Sequence, residues 1–174
     1  LAVIGGRKYV SRGINRVNIN RQPGSTFKPL VVFGPALEEE EFHPYSLLKD
    51  ELLKYGDYEP RNYHHQYKGN VTMYDALRDS LNAPAVWTLN EIGIETGKKY
   101  LEKMDIHIND HGLSLALGGL EEGITPLELT KAYRAFNASG KTIEPFVIKE
   151  IKDKDGNVIA EAKRVQKQVY SAQT

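Results

Sequence analysis

Apolar residues recur at helical spacing in the second half of the chain, and the clearest helix start is Thr125-Pro126-Leu127-Glu128. This segment offers an N-cap threonine, a proline at the first helical position and a glutamate three residues after the cap. Gly140 is a typical helix end. The apolar positions between them fall on one face of a helix, and they are Leu129, Ala132, Tyr133 and Phe136.

Capping residues and prolines predict four more helices. Serine is a good N-cap and Pro29 suits a first turn, so we expect a helix to begin near Ser25 and to kink or end at Pro35. The other three are predicted from about Thr72 to Ser80, from Pro84 to about Ile92, and from Thr96 to Met104.

Strand signals lie near the two ends of the sequence. Leu1–Ile4 followed by two glycines predicts a short strand, and Asp155-Gly156 predicts a hairpin turn leading into Val158-Ile159. Residues 38–70 are charged and rich in tyrosine, which indicates an ordered surface excursion rather than a linker. The pattern predicts a helix-rich α/β or α+β segment with a hairpin near its C-terminal end.

Composition narrows the function classes. The 174 residues suit one domain, and 23 basic and 23 acidic side chains give no net charge, which argues against a nucleic-acid-binding protein. With no cysteine, thiol catalysis and Cys-based metal sites are excluded. No apolar run approaches the roughly 20 residues that span a bilayer. The sequence opens at Leu1 without an initiator methionine, so we expect it to be a segment of a longer protein.

Ser25-Thr26-Phe27-Lys28 is an S-x-x-K tetrad at the predicted start of a helix. A serine hydroxyl needs a neighbouring base to become a nucleophile, and a lysine serves if burial or nearby positive charge keeps it neutral. The N–H groups at a helix start also stabilise developing negative charge. The spacing alone is common, since Ser46 and Lys49 repeat it. Because Ser46 lies in the charged excursion, we expect Ser25 to be the functional serine.

Ser80-Leu81-Asn82 lies at the predicted break between two helices. A serine there can relay a proton, and an asparagine can bind a substrate amide. Asparagine is also a common turn residue at the end of a helix. On these residues alone, both interpretations stay open.

Taken as longer stretches, these segments resemble the active-site motifs of class A penicillin-binding proteins. Arg21–Pro29 is similar to the first motif and Ser80–Val86 to the second. The resemblance runs from about residue 2 to residue 160 in family order and implies a β-lactamase/transpeptidase-like fold with an incomplete antiparallel sheet. Further family stretches are Ala116–Gly119, Gly123–Leu129 and Ala132–Asn137.

The resemblance implies a serine D,D-transpeptidase module that cross-links peptidoglycan stem peptides without a metal or organic cofactor. Ser25 is then the acylated nucleophile, and Lys28 is its proton acceptor. Ser80 would pass protons, and Asn82 would hold the substrate amide. β-Lactams would acylate the same serine. Full-length relatives face the cell wall from the cytoplasmic membrane, so the membrane anchor is expected outside this chain.

The third family motif, Lys-Thr/Ser-Gly, does not occur in the sequence. Lys141-Thr142-Ile143 begins like it, but isoleucine replaces the glycine. In the family, the strand with this motif forms one wall of the site and supplies part of the oxyanion hole. We therefore expect residues 1–174 to be a partial transpeptidase domain that lacks its first strand and the C-terminal strands with the third motif, and that is inactive without these remaining segments.

Two other function classes stay open. A D,D-carboxypeptidase or a β-lactamase-like hydrolase would use Ser25 and Lys28 but release the acyl group to water, and no glutamate is obviously placed to activate that water. A non-catalytic β-lactam sensor or scaffold is the other alternative. A metal site at His107 and His111 is not favoured: the two histidines have the spacing of H-E-x-x-H, but isoleucine follows His107 where that motif has glutamate.

Overall fold

The computed structural model describes residues 3–8 and 10–174. Among these residues, the α-helices are α1 Gly34–Glu38, α2 Met73–Arg78, α3 Ala83–Ile92, α4 Ile94–Lys103 and α5 Pro126–Asn137. The 3₁₀ segments are Arg16–Asn18, Gly24–Phe27 and Leu113–Leu117, and a π-helical turn covers Pro29–Phe33. No helix of the described ranges is long and apolar enough to cross a bilayer.

The strands form antiparallel pairs. They are β1 Leu47–Asp50, β2 Gly69–Thr72, β3 Lys141–Ile143, β4 Glu150–Lys152, β5 Val158–Glu161 and β6 Gln166–Gln168. β1 pairs with β2, β3 with β6, and β4 with β5. The helix-rich α/β class with antiparallel strands is thus confirmed.

The helical stretch that follows Ser25 runs through the middle of the core. Phe27, Leu30, Val31 and Val32 have no exposed surface. The π-turn packs against both α3 and α4, which is consistent with apolar side chains on all of its faces. Because these neighbours of Lys28 are closely packed, the backbone at Lys28 has little freedom to move.

Several local predictions are confirmed. The Thr72 hydroxyl accepts the N–H of Asp75 at 3.1 Å at the start of α2. Thr125 and Glu128 form the complete capping box that opens α5. The predicted turn at residues 155–156 connects β4 to β5.

The structure corrects two predicted helix starts. Ser25 is not an N-cap, because it lies inside a 3₁₀ segment whose N-cap position is Pro23. Pro35, predicted to kink or end the helix, does not end it: the helix continues to Glu38, and its geometry changes from π to α just before this proline. Thr96 is not a cap either, since α4 begins two residues earlier, at Ile94.

Three further predictions were wrong in part. Val3 and Ile4 form no strand, and the other half of the predicted first strand lies outside the described residues. Phe136, expected on a buried face, is 38% exposed. Residues 38–70 are more than a surface excursion, since they contain β1 with the buried side chains of Leu48 and Asp50.

Candidate active site

Lys28 lies where the two predicted motifs meet, and its side chain is only 1% exposed. Its Nζ donates hydrogen bonds to the carbonyl oxygen of Ser80 at 2.6 Å, to Ser80 Oγ at 3.2 Å and to Asn82 Oδ1 at 2.7 Å. An ammonium group has three N–H donors, so all of them are used. Segments more than 50 positions apart in sequence therefore converge on one nitrogen.

Burial changes the acidity of this lysine. Loss of hydration penalises the charged form and lowers the pKa of Lys28 from 10.5 to about 8. A general base works best when its pKa lies near the operating pH, because the neutral form is then populated while its basicity is retained. A pKa of about 8 therefore gives Lys28 a substantial neutral fraction near neutral pH, which an ordinary surface lysine does not have.

Ser25 lies beside this lysine in sequence, and its side chain is exposed to solvent. The backbone N–H of Lys28 donates to the carbonyl oxygen of Ser25, which ties the two residues together. Within the described residues, no hydrogen bond joins Ser25 Oγ to Lys28 Nζ. A neutral lysine has only two N–H donors, so one of the three contacts made by Lys28 must break before Nζ accepts a proton from Ser25.

Ser80 and Asn82 occupy the short break between α2 and α3. Ser80 has a left-handed backbone with φ +52°, a conformation that costs a non-glycine residue about 1 kcal/mol. This turn directs both its carbonyl oxygen and its hydroxyl at Lys28. Asn82 Nδ2 donates to the carbonyl oxygen of Arg61 at 2.8 Å, and its Oδ1 accepts from Lys28.

A second segment holds the loop that carries Ser25. The side-chain amide of Gln22 donates to the carbonyl oxygen of Leu120 and accepts the N–H of the same residue at 2.8 Å. Gly118 has φ +68°, and a Cβ added there would lie 2.6 Å from the backbone nitrogen of Gly24. Only glycine allows so close a backbone approach, so the two segments pack without a side chain between them.

The second S-x-x-K match has no comparable surroundings. Ser46 Oγ accepts the backbone N–H of His43 at 2.9 Å, which is an ordinary turn contact. Lys49 lies on β1, with Nζ 5.9 Å from the ring centroid of Trp87. Within the part of the chain that the structure describes, neither Ser46 nor Lys49 is hydrogen-bonded to an S-x-N segment, whereas Lys28 is hydrogen-bonded to Ser80.

Two polar residues next to the site, Asp50 and Asn62, were not predicted from the sequence. They are 0% and 4% exposed, and Asn62 bonds to the backbone at the start of α3. The sequence held one indication for Asp50: it lies two residues after Leu48, so the two side chains share one face of β1. An acid that shares a strand face with a buried leucine indicates a buried polar network.

A helix-rich α/β fold in which an S-x-x-K lysine is bonded to an S-x-N turn is typical of the serine penicillin-recognising class. Residues 1–174 match the family model described as penicillin binding protein transpeptidase domain. The chain therefore belongs to the family of penicillin-binding protein transpeptidase domains, and the resemblance noted in its sequence is confirmed.

The chain is 61% identical over 173 residues to penicillin-binding protein 1F of Bacillus subtilis, covering 99% of this chain and 24% of that protein. Over 95% of the chain, it superposes with TM-score 0.82 and 28% identity on 25% of penicillin-binding protein 1A from Haemophilus influenzae. Penicillin-binding protein A of Mycobacterium tuberculosis, solved as a penicillin G acyl-enzyme complex, gives TM-score 0.80 at 19% identity over 92% of this chain and 42% of that one, which shows a shared fold. The chain thus spans about a quarter of the curated relative's length.

Proposed function

We propose that this chain carries the nucleophile and base of a serine D,D-transpeptidase that cross-links peptidoglycan stem peptides and is acylated by β-lactams. The observation that carries the proposal is the buried Lys28, with a pKa lowered to about 8 and its amine bonded to Ser80 and Asn82. Burial lowers the pKa of any lysine, but here the lowered pKa belongs to a lysine three residues from Ser25 whose amine contacts Ser80 and Asn82, the arrangement that a general base for Ser25 requires. The 61% identical relative is named a penicillin-binding protein, which supports the same chemistry.

In the proposed reaction, Ser25 Oγ bonds to the carbonyl carbon of the penultimate D-Ala while its proton moves to neutral Lys28. The bond from that carbon to the nitrogen of the terminal D-Ala then breaks. The proton passes from Lys28 through Ser80 Oγ to the departing nitrogen. An amine of a neighbouring stem peptide next attacks the ester carbon, the bond from that carbon to Ser25 Oγ breaks, and the proton that the amine loses returns to Ser25 Oγ.

Asn82 has a separate part in the proposal. One hydrogen of its amide nitrogen bonds to the carbonyl oxygen of Arg61. An amide nitrogen carries two hydrogens, so the second is available to a carbonyl oxygen of the stem peptide. Such a contact fixes the substrate backbone relative to Ser25, and correct placement supplies a large part of an enzymatic rate enhancement.

The proposal includes a partner, the remaining segments of the same transpeptidase domain. β4 and β5 are exposed along their whole length although they carry apolar residues, among them Ile151 at 46%, Val158 at 54% and Ile159 at 67% exposed. A cavity of about 1120 Å³ is lined in part by exposed apolar side chains, namely Val10, Ile14, Phe146 and Val147. Exposed apolar side chains that cluster in this way often mark an interface. The 174 residues are therefore proposed to be inactive alone.

Intact-mass spectrometry after incubation with penicillin G tests the proposal. We expect the longest natural polypeptide that contains this sequence to gain the mass of one penicillin, and the 174-residue chain to gain none. Ser25→Ala should abolish the adduct, while the matched variant Ser46→Ala should retain it. An adduct that survives Ser25→Ala, or no adduct on any polypeptide, would refute the assignment of Ser25.

A further inference from the structure

Asn62 caps helix α3 from outside that helix. Its Oδ1 accepts the backbone N–H of Asn82 at 2.9 Å and that of Ala83 at 3.0 Å. The first N–H groups of a helix have no partner within the helix, and Asn82, at the N-cap position, makes no capping bond with its own side chain. A side chain from the segment between β1 and β2 therefore fixes the backbone at which α3 begins.

Asp50 fixes the orientation of the Asn62 amide. Asn62 Nδ2 donates to Asp50 Oδ1 at 2.6 Å and to the carbonyl oxygen of Gln66 at 2.9 Å. The other carboxylate oxygen of Asp50 accepts the backbone N–H of Lys68 at 3.0 Å. Both hydrogens of the Asn62 amide are thus bound on one side, so its oxygen must face α3.

The same segment also orients the side chain of Asn82. The carbonyl oxygen of Arg61 accepts from Asn82 Nδ2 at 2.8 Å, and this bond leaves Asn82 Oδ1 to accept from Lys28 Nζ at 2.7 Å. Two consecutive residues, Arg61 and Asn62, therefore hold the backbone and the amide of Asn82. The chain of contacts runs from Asp50 through Asn62 and Asn82 to the buried amine of Lys28.

We propose that Asn62 and Asp50 are positioning residues for acylation of Ser25, acting through Asn82 on Lys28 without touching the substrate. The proposal rests on the proposed function. Its physical basis is that a displacement of about 1 Å in a catalytic group can cost on the order of a hundredfold in rate. Without the Asn62 oxygen, the half-buried N–H of Asn82 and the buried N–H of Ala83 lose their partner, and the turn that carries Asn82 is free to move.

Substitutions that exchange the two side chains separate this role from general stability. Asn62→Asp keeps an oxygen for α3 but places a second carboxylate against Asp50. Asp50→Asn removes the charge and leaves one oxygen where there were two. In the double variant, the new amide at position 50 donates to the new carboxylate at position 62, whose other oxygen still accepts both N–H groups of α3. At Gln66, a carboxylate oxygen replaces the amide nitrogen and faces the carbonyl oxygen, both in the double variant and in Asn62→Asp.

The experiment measures the rate and the extent of labelling by a fluorescent penicillin at saturating concentration, in the longest natural polypeptide that contains this sequence. We expect each single variant to be acylated about 10- to 100-fold more slowly than the wild type, with the same final labelled fraction. The double variant should be acylated at least about fivefold faster than Asn62→Asp, because it removes the pair of facing carboxylates and shares the contact at Gln66. The control Val71→Ala, at a 6% exposed position of β2, removes apolar packing without touching this network, and its rate should stay unchanged.

The outcomes distinguish the two proposals. Single variants that label at the wild-type rate, or that lose only labelled fraction as misfolded protein would, overturn the positioning role of Asn62 and Asp50 while leaving the role of Ser25 intact. A double variant that is no faster than Asn62→Asp also overturns it. If the wild type itself is not labelled, the proposed acylation of Ser25 fails, and the positioning role fails with it.

Discussion

The hydroxyl of Tyr170 donates a 2.9 Å hydrogen bond to the carbonyl oxygen of Leu30, 140 positions earlier in the chain. In the π-turn, the N–H of Gly34 reaches back to the carbonyl oxygen of Pro29, so the next carbonyl, that of Leu30, would pair with residue 35. Residue 35 is a proline and has no N–H. Tyr170 supplies the missing donor, and this explains how the helix continues through Pro35.

Removal of this hydroxyl by Tyr170→Phe should lower the free energy of unfolding by about 1–3 kcal/mol, because a buried carbonyl oxygen loses its partner. The ring contacts with Tyr100 and Phe136, at centroid distances of 5.2 and 5.6 Å, would remain. Urea unfolding of the variant and the wild type checks the value. Tyr45→Phe is the matched control, since Tyr45 is 83% exposed. Equal losses in both variants would contradict the role of the Tyr170 hydroxyl.

Gly118→Ala should damage the loop that carries Ser25. The added Cβ would lie 2.6 Å from the backbone nitrogen of Gly24, so one of the two segments must move. We expect acylation by penicillin to slow by about a hundredfold, since displacement of a nucleophile is costly. The rate of labelling by a fluorescent penicillin is the measurement.

The matched control for this substitution is Gly56→Ala. Gly56 has φ +61°, close to the +68° of Gly118, but a Cβ added there meets no atom within 4 Å. Both variants therefore carry the same backbone strain of about 1 kcal/mol, and only Gly118→Ala adds a clash. If both variants are acylated at the wild-type rate, the contact with Gly24 does not position Ser25.

The capping signals were readable from the sequence because they act within one turn. Thr125 and Glu128 bond to each other's backbone without help from the rest of the fold, and the start of α5 was predicted correctly. The π-turn at Pro29–Phe33 was not predictable in this way. The π-turn is stabilised by the hydrogen bond from Tyr170 to Leu30, and two residues 140 positions apart leave no local pattern in the sequence.

The same division applies to the candidate site. The motif residues Ser25 and Ser80 were identified by spacing and by resemblance, and the structure brings Ser80 to the lysine of the first motif. Asp50 and Asn62 were missed, because their role comes from hydrogen bonds across 12 to 21 positions rather than from a motif. Candidate reactive residues are easier to identify from sequence patterns than the residues that position them.

Thr125→Ala should lower the free energy of unfolding by about 1 kcal/mol, because the N–H of Glu128 loses its capping oxygen, now 3.1 Å away. The rate of acylation should not change, since the cap makes no contact with Lys28. Chemical denaturation gives the stability, and penicillin labelling gives the rate. Thr125→Ser keeps the hydroxyl and should stay close to the wild type. A stability loss as large for serine as for alanine would rule out the cap as the cause.

The acylation rate should rise with pH through the pKa of Lys28, about 8, and then level off. The sign follows from the proposed base: only neutral Lys28 accepts the Ser25 proton, and its neutral fraction grows as pH exceeds that pKa. Lys28→Arg should remove the rise and slow acylation by roughly a thousandfold, because a guanidinium stays protonated. Rates of penicillin labelling from about pH 6 to pH 10 provide the measurement, with Lys49→Arg as the matched control that keeps the wild-type profile. If the wild-type acylation rate does not change with pH, or if Lys28→Arg is still acylated at a similar rate, a group other than Lys28 accepts the Ser25 proton.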